Sequence, residues 1–342
     1  MSVILVDQDK LFLKGCLRKR MHKASYPSGQ RDLTVTQLAQ PSGVRIPHPP
    51  PKSPAESRGF YFLLTDLLKN GDMSTELLKV AIEIAREAAA LANRLTAGGV
   101  SALATKSSDV DVVTLVDQGV ESLIRKMVSE RYPEDGFFGE EEGSSRSVSG
   151  RTWLVDPIDG TTNLLYGIPQ YGVSIAVVEG DPANWDWKAL VGVVINPATG
   201  DEYWASLGGG AFHNGEAIHI NRPKSLAQSL LVTGFSYSAE LRVKQAEVLV
   251  GIIGGVRDIR RFGACSLDLC ALASGLVDIY FERTLSAWDF AAGTLIAQEA
   301  GAVVRGWKGA APSRDWLLAG HPEIIDEFEE LAVKSGARFS LN

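Results

Sequence analysis

The stretch 153-WLVDPIDGTTN-163 places an apolar run directly before an acidic turn. A short, continuous run of hydrophobic residues is typical of a buried strand. Pro157 fixes its own φ angle and restricts Asp156 before it to extended geometry. We therefore predict that the strand ends at Asp156, with the side chain of this aspartate at the edge of a sheet.

A second carboxylate, Asp159, follows three residues later, and we expect it close to Asp156. Neighbouring carboxylates repel each other unless a cation or a proton lies between them. The turn can leave the carbonyl of Ile158 pointing outward, and this all-oxygen set suits Mg²⁺ rather than zinc. Gly160 permits a ligand close to the backbone, and Thr161 can open a helix whose free N–H groups favour phosphate. An Asx-type turn with solvated aspartates is the alternative interpretation.

The whole chain has a globular composition and an uneven charge. Its 342 residues are 45% hydrophobic with a net charge of −7, which allows one large domain or two small ones. The acidic charge lies after residue 72 and argues against a nucleic-acid surface. No apolar run reaches the roughly 18 residues of a membrane span, and no HxxxH pair indicates zinc. The three cysteines form no disulfide framework, so we predict a cytoplasmic location.

Residues 1–72 differ from the rest of the chain. They hold 7 of the 15 prolines and 11 Lys and Arg against 6 Asp and Glu, without a sustained helical or alternating pattern. We predict a disordered or non-native N-terminal extension. Residues 44–47, "VRIP", are what GTT-CGA-ATC-CCN encodes, and GTTCGAATC is the usual T-arm sequence of a transfer-RNA gene. A start site assigned too far upstream of Met73 would explain this, while a transit peptide and a disordered regulatory tail are the alternatives.

Residues 73–342 are predicted to form the catalytic domain. Apolar residues recur with a period of 3.6 from Leu77 to Leu95 and predict a helix, and a second helix ends before Pro133. Strand-like runs follow between residues 152 and 206, and helices alternate with short strands from about Ser238. Sheets covered by helices are the natural packing of such elements. We place subdomain boundaries at about 73–225 and 226–342.

Two further segments carry isolated acids. "FFGEEEG" at residues 137–143 places Glu140 and Glu141 after an aromatic pair, and "SAWDFAAG" at residues 286–293 places Asp289 at the start of a helix. Taken alone, the first is an ordinary solvated loop. The second is a helix cap in which Asp289 offsets the helix dipole. Both interpretations stay open at this point.

Together, "GEEEG", "WLVDPIDGTTNLLYG" and "SAWDFAAG" resemble the inositol monophosphatase family of metal-dependent sugar phosphatases. The resemblance runs from about Ser74 to the C-terminus. It implies a layered αβαβα sandwich of the sugar-phosphatase type, of mixed α+β and α/β class. It also implies hydrolysis of inositol 1-phosphate by metal-activated water, with two or three Mg²⁺ in each active site, inhibition by lithium, and a homodimer. The implied partner is a small-molecule phosphate monoester, with neither a nucleic acid nor a membrane.

The resemblance also assigns roles to residues. The implied metal ligands are Glu140, Asp156, the Ile158 carbonyl, Asp159 and Asp289. The implied catalytic residues are Glu141 and Thr161, which orient the attacking water, and Asp117, which partners the threonine. The implied substrate-binding residues are Ile158, Asp159, Gly160, Thr161, Arg261, Asp289 and Glu282, the last as acceptor from a sugar hydroxyl. A helix cap at Asp117 and an ordinary strand-end charge at Glu282 are the alternative interpretations.

Two positions depart from the family pattern. Many relatives carry a hydroxyl residue where this chain has Ala264, and often a basic residue where it has Ser286. Because both border the leaving-group pocket, histidinol phosphate, fructose 1,6-bisphosphate and nucleotide 3'-phosphates stay open as substrates. "DGTTN" favours inositol phosphate, since relatives acting on histidinol phosphate often have lysine at the second threonine. A regulatory binding protein on the same scaffold is the alternative from another class.

Overall fold

The computed structural model describes residues 73–100, 102–105 and 112–340 of the chain. The predicted extension at residues 1–72 lies outside the described residues. The helices are α1 (Met73–Thr96), α2 (Leu115–Arg131), α3 (Thr161–Tyr166), α4 (Ala239–Ile252), α5 (Cys265–Ala273), α6 (Ala287–Glu299) and α7 (Ile325–Lys334). The strands are β1 (Ala102–Thr105), β2 (Val112–Thr114), β3 (Gly136–Gly139), β4 (Ser144–Ser145), β5 (Arg151–Asp159), β6 (Gly172–Asp181), β7 (Asp186–Asn196), β8 (Asp201–Ser206), β9 (Ala211–His213), β10 (Glu216–Ala217), β11 (Leu230–Thr233), β12 (Asp258–Arg260), β13 (Ile279–Glu282), β14 (Val303–Arg305) and β15 (Leu317–Gly320).

Two large mixed sheets organise these strands. The first has the order β10-β9-β8-β7-β6-β5-β3-β4, and its neighbours are antiparallel except for the parallel pair β3 and β5. The second has the order β12-β11-β13-β15-β14, in which β11 is parallel to both of its neighbours. Strands β1 and β2 form a separate antiparallel pair. The middle of the first sheet is apolar on both faces, so it requires helices on both sides.

The helices pack against the faces of the two sheets in three layers. Apolar residues of α1 and α2 form one core with the first sheet, which includes Ile84, Val120 and Ile175. The layer of α5 and α6 lies against the opposite face of that sheet and also against the second sheet. Helices α4 and α7 cover the remaining face of the second sheet. The predicted αβαβα sandwich is therefore confirmed, whereas the subdomain boundaries near residue 225 stay a prediction.

The prediction that the strand ends at Asp156 is wrong. Strand β5 continues to Asp159, although its register against β6 shifts between the two aspartates. Asp156 pairs with Ser174 and Asp159 pairs with Gly172. Between these two pairs, β5 contains one residue more than β6. Such an extra residue is a β-bulge. A bulge tolerates Pro157, which lacks a ladder donor, and the strand resumes after it.

Within the described part of the chain, no helix has both the length and the apolar character needed to cross a membrane.

Candidate active site

The bulge in β5 explains how Asp156 and Asp159 can act together. In a regular strand, residues three apart point to opposite faces of the sheet. The extra residue reverses this, because the partners Ser174 and Gly172 are two apart on β6 and share a face. Both aspartates face the layer of α5 and α6 and line a cavity of about 560 Å³. The three-residue spacing, which suggested a turn in the sequence, therefore places both carboxylates on the same face of the strand because of the bulge.

Asp159 is held by the start of helix α5. Its Oδ2 accepts hydrogen bonds from the Ser266 amide at 2.7 Å and from the Ser266 hydroxyl at 2.6 Å, and its Oδ1 accepts from the Cys265 amide at 3.2 Å. Burial raises the pKa of Asp159 to about 6, and the hydrogen bonds from Ser266 oppose that rise. Sequence reasoning missed this role of Ser266, since nothing local connects residues 107 positions apart.

Asp156 and Asp289 meet Asp159 in the same cavity. The Oδ1 of Asp156 accepts a hydrogen bond from the Ile158 amide at 3.1 Å. The Oδ2 of Asp289 accepts from the Ser286 amide at 2.7 Å, as the helix-cap interpretation predicts. Burial raises the pKa of both carboxyls well above the usual range, and the nearby charges of Glu140 and Asp159 raise each pKa further. Asp289 therefore caps α6 and lines the cavity at once.

These donors form an acidic, all-oxygen set around the cavity. A cluster of buried carboxylates that raise one another's pKa favours a cation or protons. Carboxylates and one carbonyl are the hard oxygen ligands that Mg²⁺ prefers. Among the described residues, no three Asp, Glu, His or Cys side chains converge into one compact ligand shell. The donor set thus fits Mg²⁺ in charge and chemistry, with its members spread along the walls of an open cavity.

Thr161 and Asp117 form a buried pair beside the cavity. Thr161 opens α3 directly after Gly160, whose φ of 92° lies in the left-handed region that favours glycine. The Thr161 Oγ1 lies 2.8 Å from Asp117 Oδ1 and 3.0 Å from the Ile158 carbonyl, either of which can accept its single proton. The Oδ2 of the fully buried Asp117 accepts from the Thr114 amide at 2.9 Å, which caps α2. The cap and the threonine contact coexist.

Another part of the cavity wall carries Glu282, the last residue of β13. Its Oε2 accepts a hydrogen bond from the Tyr280 hydroxyl at 2.8 Å, and burial raises the pKa of Glu282 to about 7. Arg314 also lines this cavity, and its carbonyl accepts from the Thr284 amide at 2.7 Å. The sequence had indicated only that Ser286, which also lines the cavity, is not basic. Tyr280 and Arg314 were therefore not predicted.

The structure brings most of the predicted site residues into one place. The predicted residues that line the cavity are Glu140, Asp156, Ile158, Asp159, Gly160, Thr161, Arg261, Glu282 and Asp289. Asp117 lies behind Thr161, and Glu141 follows Glu140 in an acidic loop, residues 140–142, after β3. The roles of these residues as ligands or catalysts stay predictions.

A sequence model of the inositol monophosphatase family matches residues 73–333. The chain belongs to the inositol monophosphatase family. The resemblance seen in the three acidic segments is thereby confirmed, and family membership supports a metal-dependent phosphatase activity.

Relatives and solved structures agree with this family. The chain is 40% identical over 270 residues to an inositol-1-monophosphatase of Mycobacterium bovis, a match that covers 73% of this chain and 91% of that protein. It is 35% identical over 272 residues to a protein of Xylella fastidiosa named Nus factor SuhB. This match covers 75% of this chain and 96% of that protein. The solved structure of Mycobacterium tuberculosis SuhB matches with a TM-score of 0.65 at 37% identity, covering 77% of this chain and 97% of that one. The extragenic suppressor protein suhB of Bartonella henselae matches with a TM-score of 0.69 at 30% identity, covering 76% and 99%.

Proposed function

We propose that this protein is a Mg²⁺-dependent phosphomonoesterase that hydrolyses inositol 1-phosphate to inositol and phosphate. The observation that carries the proposal is the shared cavity of Glu140, Asp156, Asp159 and Asp289, in which burial and the charges of the other three residues raise the pKa of Asp156. A buried site with this excess of carboxylates is suited to divalent cations and, through them, to a phosphate group.

The proposed ligands divide into two overlapping sets. Glu140, Asp156 and the Ile158 carbonyl would hold one Mg²⁺, Asp156, Asp159 and Asp289 would hold a second, and a third, weaker ion would depend on Glu140. When bound, these ions supply activation of a water molecule and neutralisation of charge on the phosphoryl oxygens. Asp156 belongs to both sets, so its loss would affect the whole site.

The other residues orient the reactants. When Thr161 donates its proton to Asp117, the Thr161 oxygen keeps lone pairs that can accept a hydrogen bond from the attacking water. The carboxylate of Glu141 would accept the second proton of that water and act as the general base. The backbone at Gly160 and Thr161 would hold the phosphate, as expected for a glycine before a helix start.

The leaving group would lie against Glu282 and Arg261. The Tyr280 hydroxyl fixes the orientation of the Glu282 carboxylate, which can then accept a hydrogen bond from a ring hydroxyl of inositol. Histidinol phosphate, fructose 1,6-bisphosphate and nucleotide 3'-phosphates are the alternative substrates. A cytoplasmic location, a homodimer and inhibition by lithium are further expectations that the family membership supports.

A second candidate function is regulation by binding. It is favoured by the relatives named Nus factor SuhB, one of which is 35% identical over 272 residues. A phosphatase scaffold does not by itself fix the function. The discriminating property is catalytic turnover.

A panel of phosphate esters, assayed with Mg²⁺ and with a chelator, tests the proposal. We expect the highest kcat/KM for inositol 1-phosphate, loss of turnover with the chelator, and inhibition in a lithium titration. A higher kcat/KM for another ester would reassign the substrate. Failure to hydrolyse any ester would favour the regulatory function.

A further inference from the structure

Helix α2 carries a second buried carboxylate that the proposed reaction leaves without a role. Glu121 is fully buried and lies one helical turn after Asp117. Residues four apart project from the same face of a helix. The same face of α2 that holds Thr161 through Asp117 therefore also presents Glu121.

Glu121 binds the backbone of the acidic loop. Its Oε2 accepts a hydrogen bond from the Glu141 amide at 2.8 Å, and its Oε1 accepts one from the Glu142 amide at 2.7 Å. Hydrogen bonds to an ionised acceptor are about twice as strong as neutral ones. Two consecutive amides thus converge on one carboxylate, in the manner of a backbone anion nest whose anion is part of the protein.

Arg125 closes the other side of this contact. Its guanidinium lies 3.0 Å from the Glu121 Oε1 and donates to the Gly143 carbonyl at 2.9 Å. It also lies 4.1 Å from the centre of the Phe137 ring, a cation–π distance. The cation therefore compensates the buried carboxylate and fixes both ends of the acidic loop relative to α2.

The close approach of Glu121 requires a glycine before the loop. A Cβ built on Gly139 would lie 2.6 Å from the carboxylate atoms of Glu121. No real Cβ contact is that short, so any side chain at residue 139 would displace the carboxylate or the loop. The clearance at Gly139 is an independent sign that the loop is built around Glu121.

We propose that Glu121 is the positioning residue of the acidic loop. Consecutive glutamates repel one another, and Glu140 also repels Asp156, so an unanchored loop would turn its carboxylates toward solvent. Glu121 binds the loop through the amides of Glu141 and Glu142 and thereby holds Glu140 at the cavity and Glu141 next to it. One face of α2 then sets both residues that orient water, Thr161 through Asp117 and Glu141 through Glu121.

The role in Mg²⁺ binding rests on the proposed function, whereas the anchoring of the loop does not. Glu121→Gln keeps the shape of the side chain but replaces one acceptor oxygen with a donor, which leaves one loop amide unpaired. We expect about tenfold faster hydrogen–deuterium exchange of residues 139–143 in the metal-free protein. By calorimetry, we expect the Kd for Mg²⁺ to rise roughly 10- to 100-fold, as for residues that orient metal ligands. At saturating Mg²⁺, the KM for the ester should stay within about twofold.

Asp278→Asn is the matched control. Asp278 is also a buried carboxylate, and it accepts from the Leu230 amide at 2.7 Å and from the Asn221 side chain at 2.8 Å in the second sheet. This variant should lose thermal stability without changing loop exchange or Mg²⁺ affinity. If Glu121→Gln does not fold, Arg125→Gln provides a milder test, because it removes the compensating cation and keeps the anchoring oxygens.

The outcomes separate the inference from the proposed function. Unchanged loop exchange and unchanged Mg²⁺ affinity in a folded Glu121→Gln protein would overturn the positioning role. Faster exchange with unchanged Mg²⁺ affinity would show an anchor that does not position a metal ligand, which also overturns it. A parent protein that neither binds Mg²⁺ nor hydrolyses an ester would refute the proposed function, and the exchange measurement would still decide whether Glu121 anchors the loop.

Discussion

The two walls of the cavity are built differently. On the metal wall, Asp156, Asp159 and Asp289 each accept at least one backbone N–H, so their oxygens are fixed by the fold. On the leaving-group wall, Arg261 and Arg314 are exposed, and no described residue is a hydrogen-bond partner of the buried Asp268 Oδ1. Under the proposed function, the phosphate chemistry would depend on carboxylates fixed by the backbone, whereas the choice of substrate would depend on a few side chains.

The largest effect is expected from the metal wall. Asp156→Asn removes a carboxylate that serves both proposed ions, so kcat for inositol 1-phosphate should fall by about 10³ or more. Circular dichroism of the variant would show that the fold is retained. Near-normal turnover in a folded variant would contradict the proposed site.

A smaller and selective effect is expected from the leaving-group wall. Glu282→Gln should lower kcat/KM for inositol 1-phosphate by roughly 10- to 100-fold, because a neutral amide oxygen accepts a weaker hydrogen bond from a ring hydroxyl than a carboxylate does. An aryl phosphate without ring hydroxyls serves as the control substrate and should change little. Equal losses on the two substrates would place Glu282 with the metal wall instead.

The metal-free protein should also lose stability as the pH rises. Burial raises the pKa of Asp159 to about 6 and that of Glu282 to about 7, so the folded state holds these protons more tightly than the unfolded chain. Their contribution to stability is complete below about pH 4 and is lost as the pH rises through about 7. By calorimetry, Tm without metal should fall by about 3 °C or more between pH 5 and pH 8.

Asp156→Asn sharpens this test, because it removes a carboxyl whose own pKa is raised by burial and by the charges of Glu140, Asp159 and Asp289. Its Tm should depend less on pH than the Tm of the parent protein, and Mg²⁺ should stabilise the parent more at pH 8 than at pH 5. If Tm depended on pH identically in the two proteins, repulsion among the buried carboxylates would not be what destabilises the metal-free protein.

The smallest effect is expected from removing residues 1–72. Both walls are built from residues after Met73, and the family match begins at residue 73. A chain beginning at Met73 should therefore match the full chain in Tm and kcat. A loss of several degrees or of most activity would show that the segment is part of the structure. Mass spectrometry of the native protein should find an N-terminus at Met73 or Ser74, and a peptide from Pro27 to Arg58 would refute the upstream start.

Local pattern was sufficient for the elements and for the acidic segments. The apolar stripe of α1 is buried at Leu77, Ala81 and Ile84 as its period predicts, because amphipathic helices bury one face. The bulge was missed because Pro157 was taken as the end of a strand. The period of two could have indicated it, since Asp156 and Asp159 share a face only if one extra residue lies between them.

Contacts between distant segments were out of reach of the sequence. The hydrogen bonds from Ser266 to Asp159 span 107 positions, and no local rule predicts which helix start meets which strand end. Glu121 is an intermediate case, since only part of its role is visible in the sequence. Its spacing from Asp117 is visible on α2, but its partners in the acidic loop follow only from the packing of α2 beside β3.

The bulge in β5 also determines which kinds of sequence change the site can survive. Replacing Ile158 with another apolar residue keeps the number of residues between the two aspartates, so both remain on the cavity wall. Removing that single residue would remove the bulge. The two aspartates would then be two apart and would still share a face, but the site would lose the Ile158 carbonyl, and the core of the first sheet would lose the buried Ile158 side chain. At residue 158, a deletion should therefore be more damaging than a substitution by another apolar residue.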